Sequence, residues 1–212
     1  MTAPDAGLRP DAGLRAPQRP SLRVQLLTPG DWTELDLNPS TRRASVRRAV
    51  RTAARHNPGL AGDGVRLMGL LDEISRRAHE AGAFYCASLV IDDASGGVVV
   101  ATALMQLSGG SVTGLDFSPA ELCAGLASVI SADPDWAGAD VGVVALPLVG
   151  PAVRICITAV GVFMQYIVPM RDGGELLLSM SCPCPPYVAT MTELFDAMAA
   201  SLSAGEAEVS ER

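Results

Sequence analysis

Four strand-like runs lie close together in the last third of the chain, and this arrangement constrains the fold more than any other feature. They span residues 140–147, 152–160, 162–169 and 175–181, and they are rich in Val, Ile, Leu and Met. The breaks between them are short and consist of Gly150-Pro151, Gly161 and Asp172-Gly173-Gly174. A parallel crossover needs about a dozen residues or more, so these breaks predict antiparallel neighbours in one sheet.

The rest of the pattern predicts three more strands and four helices. Strands are expected at 84–91 and 98–107, joined as a hairpin by a longer loop, and a short mixed strand at 21–27. Apolar residues at helical spacing predict helices over about 41–56, 64–81 and 187–202. Ser40 is expected to cap the first of these helices because it follows Asn38-Pro39.

One more helix is predicted from its start signal. Ser118-Pro119-Ala120-Glu121 has the form of a capping box with Pro at the first helical position. Phe117 and Leu122 are placed for a hydrophobic staple, and this helix is expected to run to about residue 130.

The predicted fold class is α+β, with a mostly antiparallel sheet of six or seven strands covered by helices. Residues 152–170 form a nearly continuous apolar run, which is typical of strands that are buried on both faces. We therefore expect helices on both faces of the sheet, in an α/β/α sandwich.

The domain organisation follows from composition. Residues 1–20 contain a repeated hexapeptide, Pro-Asp-Ala-Gly-Leu-Arg, and we expect a disordered leader there. Residues 21–203 are expected to form one domain, and residues 204–212 a mobile acidic tail.

Several segments resemble the Mog1/PsbP-like α/β sandwich and uncharacterised conserved actinobacterial proteins. They are Pro29-Gly30-Asp31-Trp32 after the first strand, QYIVP at 165–169 with GGELLLS at 173–179, and LFDAMAASL at 194–202. Proteins of this fold mostly act as binding or assembly factors, so the resemblance implies a binding role.

Charge is distributed unevenly along the chain, which has a net charge of −7. All sixteen basic residues are Arg; residues 1–80 carry a net charge of +4 and residues 81–212 carry −11. An acidic chain is a poor candidate for nucleic-acid binding, because phosphate neutralisation needs clustered basic residues. The charge split instead favours association with another protein, an acidic one in particular, or self-association into a homo-oligomer.

The cysteines and the N-terminus indicate a cytoplasmic location. Five Cys is an odd number, and the first residues lack the apolar core of an export signal. No apolar run reaches the length of a membrane span. We therefore expect free thiols in a reducing compartment.

Known patterns for catalysis, cofactors and metals are not recognisable, so we predict no catalytic, cofactor-binding or metal-binding residues. Cys182-Pro183-Cys184 lacks the second ligand pair of a structural zinc site, and a structural turn is the favoured interpretation over redox or metal chemistry. His56 and His79 lie on predicted helices without a nucleophile signature. The loop acids lack the alternating pattern of a calcium site.

The most distinctive candidate surface is on the first predicted helix. Apolar residues lie on one side of this helix, and the other side carries Arg43, Arg47, Arg48, Arg51 and Arg55. This side could bind an acidic protein, a phosphate or an anionic lipid. Alternatively, it is a solvated surface neutralised by Glu73, Glu80 or the acidic C-terminal half.

Two hypotheses about function follow. The first is a non-enzymatic interaction module, such as a cytoplasmic adaptor, chaperone or assembly factor, linked to a secretion system or envelope complex. The second is a small-ligand binder or minor enzyme with an apolar pocket between the sheet and the first two helices.

Overall fold

The architecture is a seven-stranded antiparallel sheet with helices on both faces, which confirms the predicted α+β class. The computed structural model describes residues 22–92, 97–108, 118–136, 138–170 and 174–206. The strands of the large sheet are β2 (Thr33–Glu34), β3 (Ala83–Asp92), β4 (Val98–Ser108), β5 (Asp140–Leu146), β6 (Gly150–Ile157), β7 (Val162–Pro169) and β8 (Glu175–Cys182). Their order is β2-β3-β4-β8-β7-β6-β5, with every neighbouring pair antiparallel.

Four helices lie where helical periodicity and capping predict them: α1 (Arg42–His56), α2 (Gly64–Glu80), α3 (Pro119–Ala132) and α4 (Val188–Ala200). The capping box of α3 is present, because the Ser118 hydroxyl accepts from the Glu121 amide and the Glu121 carboxylate accepts from the Ser118 amide. Phe117, the predicted staple residue, lies outside the described residues.

The predicted Ser40 cap of α1 is wrong. Thr41 is the N-cap and makes no side-chain capping bond. The Ser40 hydroxyl donates to the Asn38 side chain, and that of Thr41 donates to Asp36. Both hydroxyls therefore stabilise the preceding turn, and the Arg42 and Ala44 amides at the start of α1 donate to the backbone carbonyls of Asn38 and Thr41 instead of to a side chain.

Side-chain alternation along β4 shows which helices cover each face. Ala101, Ala103 and Met105 belong to the core that α4 closes, whereas Val100 and Leu104 belong to the core beneath α1 and α2. The α3 helix packs over β5 and β6 on the same face as α1 and α2, in a separate cluster around Val153 and Ile155. The sheet is thus covered on both faces, as the apolar run at 152–170 predicts.

A second, two-stranded sheet joins β1 (Leu22–Gln25) to β9 (Ser203–Glu206). The predicted first strand therefore lies outside the large sheet. The seventh strand of the large sheet is instead the short β2, which sequence analysis did not predict. Regular pairing also continues to Glu206, three residues into the predicted tail. The predicted leader and residues 207–212 lie outside the described residues.

Cys182-Pro183-Cys184 forms a tight turn between β8 and α4. Both thiols are buried, and the Cys184 amide donates to the Cys182 carbonyl at 2.9 Å. Gly161 has φ +139°, and a Cβ there would lie 2.5 Å from the Cys182 carbonyl oxygen. Only a residue without a side chain fits against this turn.

In the described part of the chain, no helix is both long and apolar enough to cross a lipid bilayer.

Candidate functional site

The α1 arginine surface consists of Arg43, Arg47, Arg48, Arg51 and Arg55, all of which are exposed. The opposite side of α1 is buried through Ser45, Val46, Ala49 and Val50. At about 100° per residue, the five arginines occupy an arc of roughly 140° and a length of about 18 Å. The structure therefore places all five predicted partner-binding residues on one continuous surface.

Acidic residues of α2 do not neutralise this surface. Glu73 accepts hydrogen bonds from Arg76 at 2.7 and 2.9 Å and from Arg77 at 2.6 Å. The bonds from Arg76 and then Arg77 lower the pKa of Glu73 to about 2. Glu80 is likewise bound by Arg76 at 2.6 Å. Both glutamates are therefore engaged within their own helix, which is the geometry that i,i+3 and i,i+4 spacing favours.

Other carboxylates near α1 also have partners. Arg42, which precedes the α1 arginine surface, pairs with Asp72 at 3.3 Å and ties α1 to α2. The pKa of Asp36 is lowered mainly by the hydrogen bond from Thr41, with a smaller contribution from the charge of Arg48. Among residues that the structure describes, no carboxylate forms an ion pair with any member of the α1 arginine surface.

The charge pattern of α1 opposes its own helicity. No acidic residue lies in the first turn, where Arg43 meets the positive end of the helix dipole. The pairs Arg43–Arg47, Arg47–Arg51 and Arg51–Arg55 each have i,i+4 spacing. Each such like-charge pair destabilises a helix by about 0.2–0.5 kcal/mol. Helix stability therefore does not explain why arginines occupy these positions.

A different surface lies beside α2. An open cleft of about 520 Å³ separates this helix from β4 and β8, with mostly apolar walls that include Leu70, Ile74, Val100 and Leu104. The predicted apolar stripe of α2 is only partly used for burial, since Leu67, Leu71 and Ala78 are buried but Leu70 remains 40% exposed. The predicted pocket between the sheet and the first two helices is thus represented by this cleft along α2 and by a smaller cleft of about 330 Å³ between α1 and β3.

Hydroxyl groups form part of the cleft floor. Thr102 and Ser181, paired across β4 and β8, hydrogen-bond each other at 2.8 Å. The cleft can therefore contact an apolar ligand along its walls and a polar atom at its floor. Sequence analysis missed these two hydroxyls because only strand pairing brings positions 79 residues apart together.

The other candidate groups from the sequence do not converge. Cys86 and Cys182 are buried, and burial raises the pKa of these thiols to about 12 and about 11 respectively. His56 and His79 are exposed at the ends of different helices. Within the described ranges, no group of three or more His, Cys, Asp or Glu side chains is arranged to hold a metal ion.

A polar group that joins α4 to the sheet was also missed from the sequence. The Arg154 guanidinium binds both carboxylate oxygens of Asp196 at 2.9 and 3.2 Å, and the Tyr166 hydroxyl donates to the same carboxylate. Asp140 approaches Arg154 from the edge of the sheet at 3.4 Å. Tyr166 is 1% exposed, whereas the Asp196 side chain is 46% exposed, so this group ties α4 to β6 and β7 at the border of the core.

No protein-family model matches the chain, and no curated protein matches it. Among solved structures, the chain is similar to that of LpqN, described as involved in cell envelope biogenesis of Mycobacterium tuberculosis. The identity is 9%, the match covers 89% of this chain and 86% of that chain, and the TM-score is 0.43.

Proposed function

We propose that this protein is a non-enzymatic interaction module that binds an acidic segment of another protein through the α1 arginine surface. The observation that carries the proposal is that the five arginines are exposed together and that none of them forms an ion pair with a carboxylate among the described residues. The nearest glutamates of α2 are occupied by other arginines, so a binding partner would supply the missing carboxylates.

The dimensions of the surface define the partner. Carboxylates distributed over about 18 Å would match the spacing of the arginines. An extended acidic segment of about six residues has this length. Guanidinium groups bind carboxylates through paired hydrogen bonds, so arginine suits this task.

A protein partner fits better than a membrane or a nucleic acid. The residues between the arginines include Ala44 and Ala54, which are too small to anchor a helix in a bilayer. The α1 arginine surface also carries no aromatic side chain on which the base of a single-stranded nucleic acid could stack. We place the module in the cytoplasm, because its five cysteines are free.

Binding of fluorescein-labelled poly-glutamate, measured by anisotropy, tests this proposal. We expect saturable binding that weakens with salt, and no binding of poly-glutamine. The double variant Arg47→Ala/Arg51→Ala should weaken binding about fivefold, at roughly 0.5 kcal/mol for each exposed contact.

The matched control is Arg23→Ala/Arg66→Ala, which removes the same charge from exposed positions outside α1. Equal weakening by both double variants would show that net charge, not this surface, governs binding. Tighter binding to duplex DNA or to phosphatidylglycerol vesicles than to poly-glutamate would contradict the proposed class of partner.

The cleft beside α2 supports a second candidate function, which is the binding of a small apolar ligand. The supporting observation is that the exposed Leu70 and the partly buried Ile74 line this cleft above a floor that includes the Thr102 and Ser181 hydroxyls. Native mass spectrometry should then detect a co-purified small molecule that is lost in Leu70→Arg. A bare polypeptide mass for the wild-type chain would argue against it.

A further inference from the structure

The two ends of the large sheet differ in how well their edges are protected. At one end, β2 contributes only two residues, Thr33 and Glu34, and is followed by the acidic Asp36. At the other end, β5 pairs with β6 along all seven of its residues, without a register shift. Of the two terminal strands, β5 is therefore the longer and the more regular.

The outer edge of β5 lacks the usual features that prevent strand pairing. Residues 141–146 contain neither a charge nor a proline, and no bulge interrupts the strand. Its one charged residue, Asp140, lies at the first position and pairs with Arg154. In the described part of the chain, no strand pairs with the outer side of β5. A long, apolar and regular edge of this kind is a template for pairing with another strand.

We propose that two copies of this chain associate through β5, which pairs antiparallel with the β5 strand of the second copy and joins the two large sheets. This inference is independent of the proposed function, because α1 packs over the β2–β4 end of the sheet. At about 4.8 Å per strand, the five steps from β3 to β5 separate the two surfaces by roughly 24 Å.

The strand is complementary to itself. A two-fold axis at Val143 places Asp140 opposite Leu146 of the second copy, so the two carboxylates do not face each other. The same axis brings together the two Val143 side chains, each of which is 47% exposed in the single chain. Cross-strand pairs of β-branched residues stabilise antiparallel sheets, and this contact would cover both side chains.

Sedimentation velocity of the full chain across a dilution series tests the inference. We expect a reversible dimer of twice the 22.0 kDa chain mass. Val143→Lys places a charge at the centre of the pairing edge and should raise the dissociation constant by about tenfold or more. Val160→Lys, at an 81% exposed position in the turn between β6 and β7, is the matched control and should leave it unchanged.

A cross-linking experiment tests the register. Facing Val143 residues would have their Cα atoms about 4.5–5.5 Å apart, within the range of a disulfide. Val143→Cys should therefore form a covalent dimer on mild oxidation, while Val160→Cys and the wild-type chain do not. Ala145→Lys, at an exposed position of the same strand, replaces Val143→Lys if that variant does not fold.

A monomer at every concentration, or a dimer that Val143→Lys leaves intact, would overturn the inference. Poly-glutamate binding by the monomeric Val143→Lys variant should equal that of the wild-type chain. Sedimentation therefore tests the β5 dimer, and poly-glutamate binding tests the α1 arginine surface, so either proposal can fail without the other.

Discussion

Replacing Arg47 by Glu should stabilise the folded protein while weakening its binding to acidic ligands. Arg47 lies between Arg43 and Arg51 at i,i+4 spacing in both directions, and all three side chains are exposed. Glu at position 47 would convert two like-charge pairs into two opposite-charge pairs. Position 47 is the sixth residue of α1, beyond the first turn, so interaction with the helix dipole contributes little.

The magnitude follows from the two pairs. Each pair changes from about 0.2–0.5 kcal/mol of repulsion to a similar attraction. The two pairs together should therefore raise the free energy of unfolding by roughly 0.8–2 kcal/mol at low salt. Screening at physiological ionic strength reduces this gain in unfolding free energy to about 1 kcal/mol. For a chain of this size, 1 kcal/mol corresponds to about 2–4 °C in the melting temperature.

Urea unfolding followed by circular dichroism, at low and high NaCl, measures the effect. Arg47→Gln is the matched control, because Gln removes the repulsion, has a similar helix propensity and adds no attraction. We expect Arg47→Glu to be the most stable, Arg47→Gln to be intermediate and the wild-type chain to be the least stable, with differences that shrink as salt is added. A less stable Arg47→Glu variant would refute the reasoning, since it would mean that Arg47 has a stabilising partner in the folded chain.

Three further predictions concern the fold that supports these surfaces. Tyr166→Phe should lower the unfolding free energy by about 1–2 kcal/mol, as measured by urea titration, because it removes a hydrogen bond to Asp196; an unchanged midpoint would mean that this bond is not formed in solution. Glu73 has a pKa below its unfolded value of about 4.5, so its contribution to stability is present above that pH and is lost as the pH falls towards 2. Thermal melts between pH 4.5 and 2 should show a smaller loss of stability for Glu73→Gln than for the wild-type chain. If both proteins lose the same stability over this interval, the ion pairs of Glu73 do not contribute. Gly161→Ala should cost more than about 2 kcal/mol, measured by thermal unfolding, because its backbone angle and the nearby Cys182 carbonyl both exclude a Cβ; a near-neutral result would show that the turn can shift.

The secondary structure follows from local chemistry in most of the described chain. The capping box at Ser118 begins α3 where predicted, and the apolar periodicity of α2 gives its bounds to within one residue at Glu80. Short breaks at Gly161 and around Gly150 predict the antiparallel order of β5, β6 and β7. These signals are readable because each depends on residues only a few positions apart.

The functional candidates depended on the sequence to different degrees. The five members of the α1 arginine surface could be named from the helical pattern alone, since one helix presents them all. The sequence could not show whether Glu73 and Glu80 neutralise these arginines, because each carboxylate had several arginines within reach. The structure pairs both with Arg76, and Glu73 also with Arg77.

By itself, the sequence determined the helices, the strands with tight turns, and the uneven distribution of charge. Only the tertiary structure decided that β8 lies between β4 and β7, that β5 is a terminal strand of the large sheet, and that Arg154 binds Asp196, which lies 42 residues away in the sequence. The physical reason is range: capping, periodicity and turn geometry act within a few residues, whereas strand order and ion-pair choice minimise the free energy of the whole chain.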